Sequence, residues 1–490
     1  MNNAIPGENF LGHPKGLFLL FGTELWERFS YYAMRAILVL YLVDRAQADG
    51  GFGLGFSNAD ALRLYAWFTA LVYITPLIGG WLADNFLGQR RAIVLGGALM
   101  AAGHFLLGTP HAWVPGMELA VFYIGLAVMI AGNGLFKPNI STMVGDLYRP
   151  GDNRRDGAFT IFYMGINIGA FLSGIVVGTV VAMWDGNWQA GFICAGIGMV
   201  LSLCIQMAWA QRLLGDIGKE PAAARDRRVN KRTAGQRTPL TPVERDRLKV
   251  ILVLGLFTII FWAGFEQAGG LMNIYTNEFT NRMLGGWEVP TTWFQSLNPL
   301  FIVVFAPVIA SVWVRLGPRE PTSPVKFAVG LVLLGIGFLF MVGAVLEQGG
   351  DHTVKTSMMW LVGAYFFHTI GELCLSPIGL SMVTKLAPLR LASLMMGAWF
   401  GFIAMANYLA GFIGSLIGHG DEASQVENAM AIFGGLAAAA VAAGLILYFL
   451  ADRLVTWMHG AEDRVNIDHT VDDQVVVTAA REALPDTRSH

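Results

Sequence analysis

Charge is what this chain has least of. Of its 490 residues only 14% are Asp, Glu, Lys or Arg, against 54% hydrophobic, and the apolar residues run in segments set almost end to end, unlike any soluble composition of that length. Cysteine is scarcer still. Cys194, Cys204 and Cys374 fall inside apolar segments with no pairing pattern and no metal-ligand spacing, which excludes a disulfide framework and leaves them as small buried hydrophobes. Also missing are a nucleophile with its base, a metal triad and a phosphate loop, so no enzyme, no cofactor, no metal site and no nucleic-acid partner is expected. The stretch Met1–His13 is polar and contains glycine, and the apolar segment behind it is too long and too charged for a cleavable leader, so that segment is expected to stay in the protein.

What is present is a series of membrane spans. A hydrocarbon core of roughly 30 Å takes about 20 apolar residues to cross. Twelve such segments are predicted, near 15–43, 60–83, 90–108, 118–143, 158–183, 189–213, 248–270, 291–316, 324–346, 356–384, 390–418 and 428–455. Between them lies one basic, Pro-punctuated stretch with Arg225, Arg227, Arg228, Lys231, Arg232 and Arg237 and no apolar run. It divides the chain into a six-span half (1–213), a linker (214–247), a second six-span half (248–455) and a polar tail (456–490). With the N-terminus in the cytoplasm, about 25 of the 33 Lys/Arg fall in cytoplasmic segments, whereas Arg45, Arg282 and Lys355 sit in outer loops. Both termini are therefore expected in the cytoplasm.

Two six-span halves joined by a cytoplasmic linker suggest the major-facilitator architecture, in which the halves rock about a site at the midplane. The expected fold is all-α and polytopic, with twelve transmembrane helices in two six-helix bundles. The segment Gly79-Gly80-Trp81-Leu82-Ala83-Asp84-Asn85-Phe86-Leu87-Gly88-Gln89-Arg90-Arg91 resembles the signature loop between helices 2 and 3 of that superfamily. There, small residues let helices approach and an acid followed by arginines pairs across the cytoplasmic side.

A charge at mid-bilayer costs at least about 2.5–3.5 kcal/mol, so each ionisable residue in a span faces a cavity or a partner and is a functional candidate. On a helical wheel Glu24, Glu27, Arg28, Tyr31, Tyr32 and Arg35 share an arc of about 140° on the first span. Glu24 pairs with Arg28 at i,i+4; adjacent residues point apart, so Glu27 is expected to find its partner on another helix, with Lys137 before Pro138 as the candidate. Glycines and Pro138 are expected to loosen that fourth span. The second half adds Glu266 and Glu372, giving a cavity cationic on one wall and acidic on the other, suited to a zwitterion. It can also carry protons, because a carboxylate relieved of its cationic partner accepts one more readily. If these were only packing salt bridges, they would be poor net stabilisers.

These residues, with Phe162-Tyr163-x-x-Ile166-Asn167-x-Gly169, resemble the proton-dependent oligopeptide transporters through nearly all twelve spans. The resemblance implies proton-driven uptake of di- and tripeptides across a bacterial inner membrane by a monomer, with no cofactor beyond the coupling proton. It implies that Arg28 and Lys137 meet the peptide carboxylate and Glu372 its amine, that Tyr31, Tyr32, Asn167, Asn298 and Ser376 hydrogen-bond the peptide, and that Tyr65, Trp262 and Trp399 line side-chain pockets. Glu24, Glu27, Arg28, Lys137 and Glu266 would couple protons, and Arg35 with Glu266 would close the outer gate. The chain departs from the family in two ways: linker 214–247 leaves no room for the two extra helices of many bacterial members, and Ala66 stands where animal members carry a His. Rival readings are uptake of other peptide-like anions or drugs, and a non-transporting sensor, for which the linker supplies no output domain.

Overall fold

The computed structural model describes residues 9–46, 50–149, 152, 154–221, 239–349, 351–388, 391–418 and 422–461. The linker cations Arg225 to Arg237 and the tail beyond 461 lie outside the described residues. Among the described residues twelve long helices account for the fold: α1 Lys15–Val43, α2 Asn58–Leu82, α3 Gln89–Leu107, α4 Glu118–Asp146, α5 Arg154–Met183, α6 Trp188–Leu214, α7 Pro242–Phe265, α8 Leu297–Leu316, α9 Ser323–Gln348, α10 Met359–Leu386, α11 Ala392–Ser415 and α12 Glu422–Met458. Among the described residues eleven spans are long and apolar enough to cross a membrane. The exception is α1, whose 29 residues carry Glu24, Glu27, Arg28 and Arg35.

Local chemistry sets where helices begin. Ser57 accepts a hydrogen bond from Asp60 N at the start of α2, and Asn187 accepts from Ala190 N at the start of α6. Thr241 and Glu244 form a reciprocal capping box at α7, with Pro242 as the first helical residue. The seventh span exceeds its predicted length: α7 passes through a tight turn at Glu266–Gly269 into a short helix, Leu271–Phe279. α4 continues as one helix through Pro138, whose ring removes one backbone hydrogen bond from it. A Cβ on Gly79 of α2 would lie 2.0 Å from Gly134 O, so α2 and α4 touch backbone to backbone there.

α1 packs on α5 and α6, α3 on α4 and α6, and α2 on α4; in the second half α9 packs on α10 and α12, and α7 on α11 and α12. These are two six-helix bundles. They meet where α2 crosses α11 and where α5 crosses α8 and the turn Thr291–Ser296 before it.

Among the described residues, the hydrogen bonds that join the bundles cluster at one end. Thr292 Oγ1 donates to Gly174 O (2.8 Å), Trp293 Nε1 to Ile175 O (3.1 Å), Ser296 Oγ to Phe171 O (2.7 Å) and Asn273 Nδ2 to Ala36 O (2.9 Å). Asn58 of α2 donates to Gln425 of α12 (2.7 Å), and the Trp67 and Tyr408 rings meet edge to face at 4.8 Å. This closed end holds the C-terminal half of α1 and the N-terminal half of α2.

Candidate functional site

The polar face of α1 folds onto itself more completely than side-chain direction alone suggests. Glu24, Glu27 and Arg28 are all buried, at 3%, 0% and 3% exposure. Arg28 Nε lies 3.2 Å from Glu24 Oε1, the pairing expected at i,i+4. The expected cross-helix partner for Glu27 is not what the structure provides: Arg28 donates through Nε to Glu27 Oε2 and through Nη2, at 2.6 Å, to Glu27 Oε1. Adjacent side chains leave the helix about 100° apart, but both are long enough to bend together, and the planar guanidinium presents one edge to both carboxylate oxygens. Glu24 Oε2 is buried and has no hydrogen-bond partner among the described residues.

Lys137 accordingly does not pair with Glu27. Its ammonium sits over the Tyr73 ring, 4.3 Å from the centroid, and among the described residues no carboxylate lies within ion-pair distance. Tyr31 stacks with the same cluster, the Arg28 guanidinium being 5.2 Å from its ring centroid and the Tyr32 ring 5.4 Å away.

Farther along α1, Arg35 forms an ion pair with Glu266 and donates through Nε to Tyr65 OH (2.7 Å). The pair crosses from one bundle to the other and lies within the closed end. Next to it is a cavity of about 120 Å³ whose lining includes Tyr32, Arg35, Asn167, Asn298 and Glu372. Asn298 Nδ2 donates to Glu372 Oε2 (2.8 Å) and to Thr369 Oγ1 (3.1 Å), so α8 and α10 hold the acid in place while it stays 8% exposed. The cavity thus has Arg35 on one side and Glu372 on the other.

Not every sequence-derived candidate reaches this space. Trp262 packs against Phe261 and Phe265, Trp399 is buried against Gly379 and Phe402, and Ser376 is half-buried one turn beyond Glu372; none of the three lines the cavity. Tyr65 is held by Arg35 at its rim. Tyr163, Ser173, Gln295, Tyr365 and His368 do line it and were not picked out as candidates. His368 and Tyr365 precede Glu372 by four and seven residues on α10, a helical-face spacing that could have found them.

Two six-helix bundles enclosing a cavity with charge of both signs define a secondary transporter of the major facilitator superfamily, not an enzyme. The family model that matches residues 90–212 and 227–432 describes the POT family. The chain is 36% identical over 507 residues to the peptide transporter YePEPT of Yersinia enterocolitica, covering 91% of this chain and 96% of that protein. It is 36% identical over 447 residues to the di-/tripeptide transporter of Lactococcus lactis subsp. cremoris, covering 80% and 87%. The crystal structure of a peptide transporter POT in complex with sulfate superimposes with a TM-score of 0.81 at 38% identity, covering 93% of this chain and 98% of that one. The chain belongs to the POT family of membrane transporters.

Proposed function

We propose that this protein carries di- and tripeptides together with protons into the cytoplasm, as a monomer in a bacterial inner membrane with both termini on the cytoplasmic side and no resident cofactor. The observation that carries the reading is the cavity between Arg35 and Glu372 at the meeting of two bundles in a member of the POT family. Glu372 receives the peptide amine, and Tyr32, Asn167 and Asn298 supply uncharged hydrogen bonds between the ends. In this orientation the joined end faces outward, so Arg35 with Glu266 is the outer gate and the state is the one open to the cytoplasm.

The α1 cluster supplies the proton step. Arg28 holds Glu27 by two hydrogen bonds and Glu24 by one contact, and Glu24 Oε2 is unpartnered. When the peptide carboxylate draws Arg28 away, Glu24 has the fewest bonds to lose and an oxygen already free to take a proton. Lys137, resting on the face of Tyr73 with no carboxylate in ion-pair distance among the described residues, is the cation most easily recruited to the carboxylate.

Purified protein in liposomes is expected to accumulate a labelled dipeptide when an inward proton gradient is imposed. Uptake indifferent to pH and to a proton conductor overturns the coupling. Lys137→Ala is expected to abolish gradient-driven accumulation, and wild-type accumulation in that variant removes Lys137 from the mechanism.

A further inference from the structure

A second cavity, of about 190 Å³, lies at the closed end on the far side of the seam. Leu40, Gly178 and Ala182 wall it from the first bundle, and Asn277, Arg282 and Glu288 from the second. It is stacked on the central cavity along α5: Ser173 lines the inner space and Gly178 the outer one, about 7.5 Å apart along the helix. Between them Gly174 O accepts from Thr292 Oγ1.

Arg282 gives this outer pocket a chemical character. Its Nη1 donates to Val289 O (2.7 Å) and its Nη2 meets Glu288 Oε1 (2.7 Å). Its Nε is buried and has no acceptor among the described residues. A buried guanidinium N–H without an acceptor is a group that calls for explanation, because desolvation is uncompensated. The Glu288 side chain is 61% exposed, so that ion pair is screened by water and weak, while the bond to Val289 O anchors the guanidinium whether or not Glu288 stays. Beside it, Thr291 Oγ1 donates to Asn277 Oδ1 (2.9 Å), which leaves the Asn277 NH2 as the end of that amide able to meet a ligand. Leu40 and Val181 provide an apolar wall. Two donors beside an apolar wall suit a carboxylate on a short aliphatic chain.

We propose that this outer pocket is a second ligand site, taking a small carboxylate, and that its occupant holds the outer end closed. The second half follows from the lining: the walls belong to different bundles, so the complete site exists only while the seam is shut, and whatever binds it shifts the population toward the shut state. Carboxylates on the outer face would then slow the return step of the transport cycle. The inference concerns a site separate from the cargo's, so it stands even if the cargo is not a peptide.

The test uses full-length protein with its native cysteines replaced by Ser and Ala182→Cys placed in the pocket wall. Reaction of that thiol with a membrane-impermeant maleimide is timed with propionate, with propionamide as the uncharged counterpart, and with chloride at matched ionic strength. Propionate is expected to slow labelling at least about threefold, and propionamide and chloride to leave it unchanged. Arg282→Gln is expected to abolish the protection and Glu372→Gln, which alters the inner cavity, to leave it intact. Glu288→Gln frees Arg282 Nη2 and is expected to lower the half-protecting propionate concentration, a readout that survives if Arg282→Gln does not fold. No protection, equal protection by propionamide, loss of protection in Glu372→Gln with its retention in Arg282→Gln, or an unchanged half-protecting concentration in Glu288→Gln would each overturn the proposal.

Discussion

Replacing Gly411 of α11 by Ala should prise the closed end apart. A Cβ built there would lie 2.5 Å from Ala66 Cβ, 2.6 Å from Leu62 O and 2.7 Å from Ala66 Cα on α2, whereas ordinary contact begins at 3.4 Å. The shortfall is about 0.9 Å, and none of these atoms can swing aside as the end of a flexible side chain can, so the two helices must separate by about 1 Å. Overpacking of this kind costs about 1–3 kcal/mol. Because α2 and α11 belong to different bundles, the cost falls on the closed arrangement and not on each bundle's own fold. That difference shifts the equilibrium about 5- to 150-fold toward the arrangement open at this end. Spin labels on Asp185→Cys and Leu284→Cys, one in each bundle, report the separation by pulsed electron resonance. The distance distribution of Gly411→Ala should move to longer values. Gly401→Ala on the same helix, where a Cβ meets nothing within 4 Å, should reproduce the parent distribution. Parent-like distances in Gly411→Ala, with an unchanged thermal midpoint, would refute the reasoning.

Further outcomes follow from the same geometry. Arg28→Gln leaves two buried carboxylates without their cation and is expected to cost about 3–5 kcal/mol, seen as a lowered thermal unfolding midpoint in detergent; a loss under 1 kcal/mol argues that water reaches the cluster. Glu372→Gln should weaken binding of peptides with a free amine far more than of amine-blocked ones, and equal losses contradict its assigned partner. His111, in the loop between α3 and α4, accepts or donates through Nε2 to Tyr41 OH (2.9 Å), and burial lowers its pKa below the ordinary imidazole value. A base with a lowered folded pKa is fully stabilising above its unfolded value of about 6.5 and loses that contribution as pH falls below it. His111→Gln should therefore flatten the fall of thermal midpoint on acidification, and an identical pH profile in the variant excludes His111 as a contributor.

The twelve spans were legible because each needs a long apolar run and little else, and α1 coincides with its predicted limits of 15–43 despite its charge. Helix ends set by capping were harder. The start of α7 at Pro242 depends on Thr241 and Glu244, ahead of the apolar run that marked the span from 248. The ion pair between Arg35 and Glu266 brings together residues 231 apart in sequence, and it was the family resemblance that pointed to it. The partner of Glu27 was misjudged because helical-wheel reasoning fixes where Cβ points and not how far a long side chain can turn. The outer pocket was invisible for a related reason: Arg282 reads in sequence as an ordinary loop cation, and only folding brings it beside Leu40 and Gly178 of the other bundle.

Four of the bonds across the closed seam run one way, opposite to those of Asn58 and Arg35. Thr292, Trp293, Ser296 and Asn273 donate from side chains of the second bundle, and the acceptors are the backbone oxygens of Gly174, Ile175, Phe171 and Ala36 inside α5 and α1 of the first. A helical carbonyl already accepts one bond from the residue four places on and uses its second lone pair here. When these four bonds break, the carbonyls of the first bundle keep their helical partners, and the second bundle exposes side-chain donors that water can serve at once. This stretch of the seam behaves like a fastener with hooks on one face and a smooth strip on the other: it registers the two halves when they meet, and releasing it spoils neither helix.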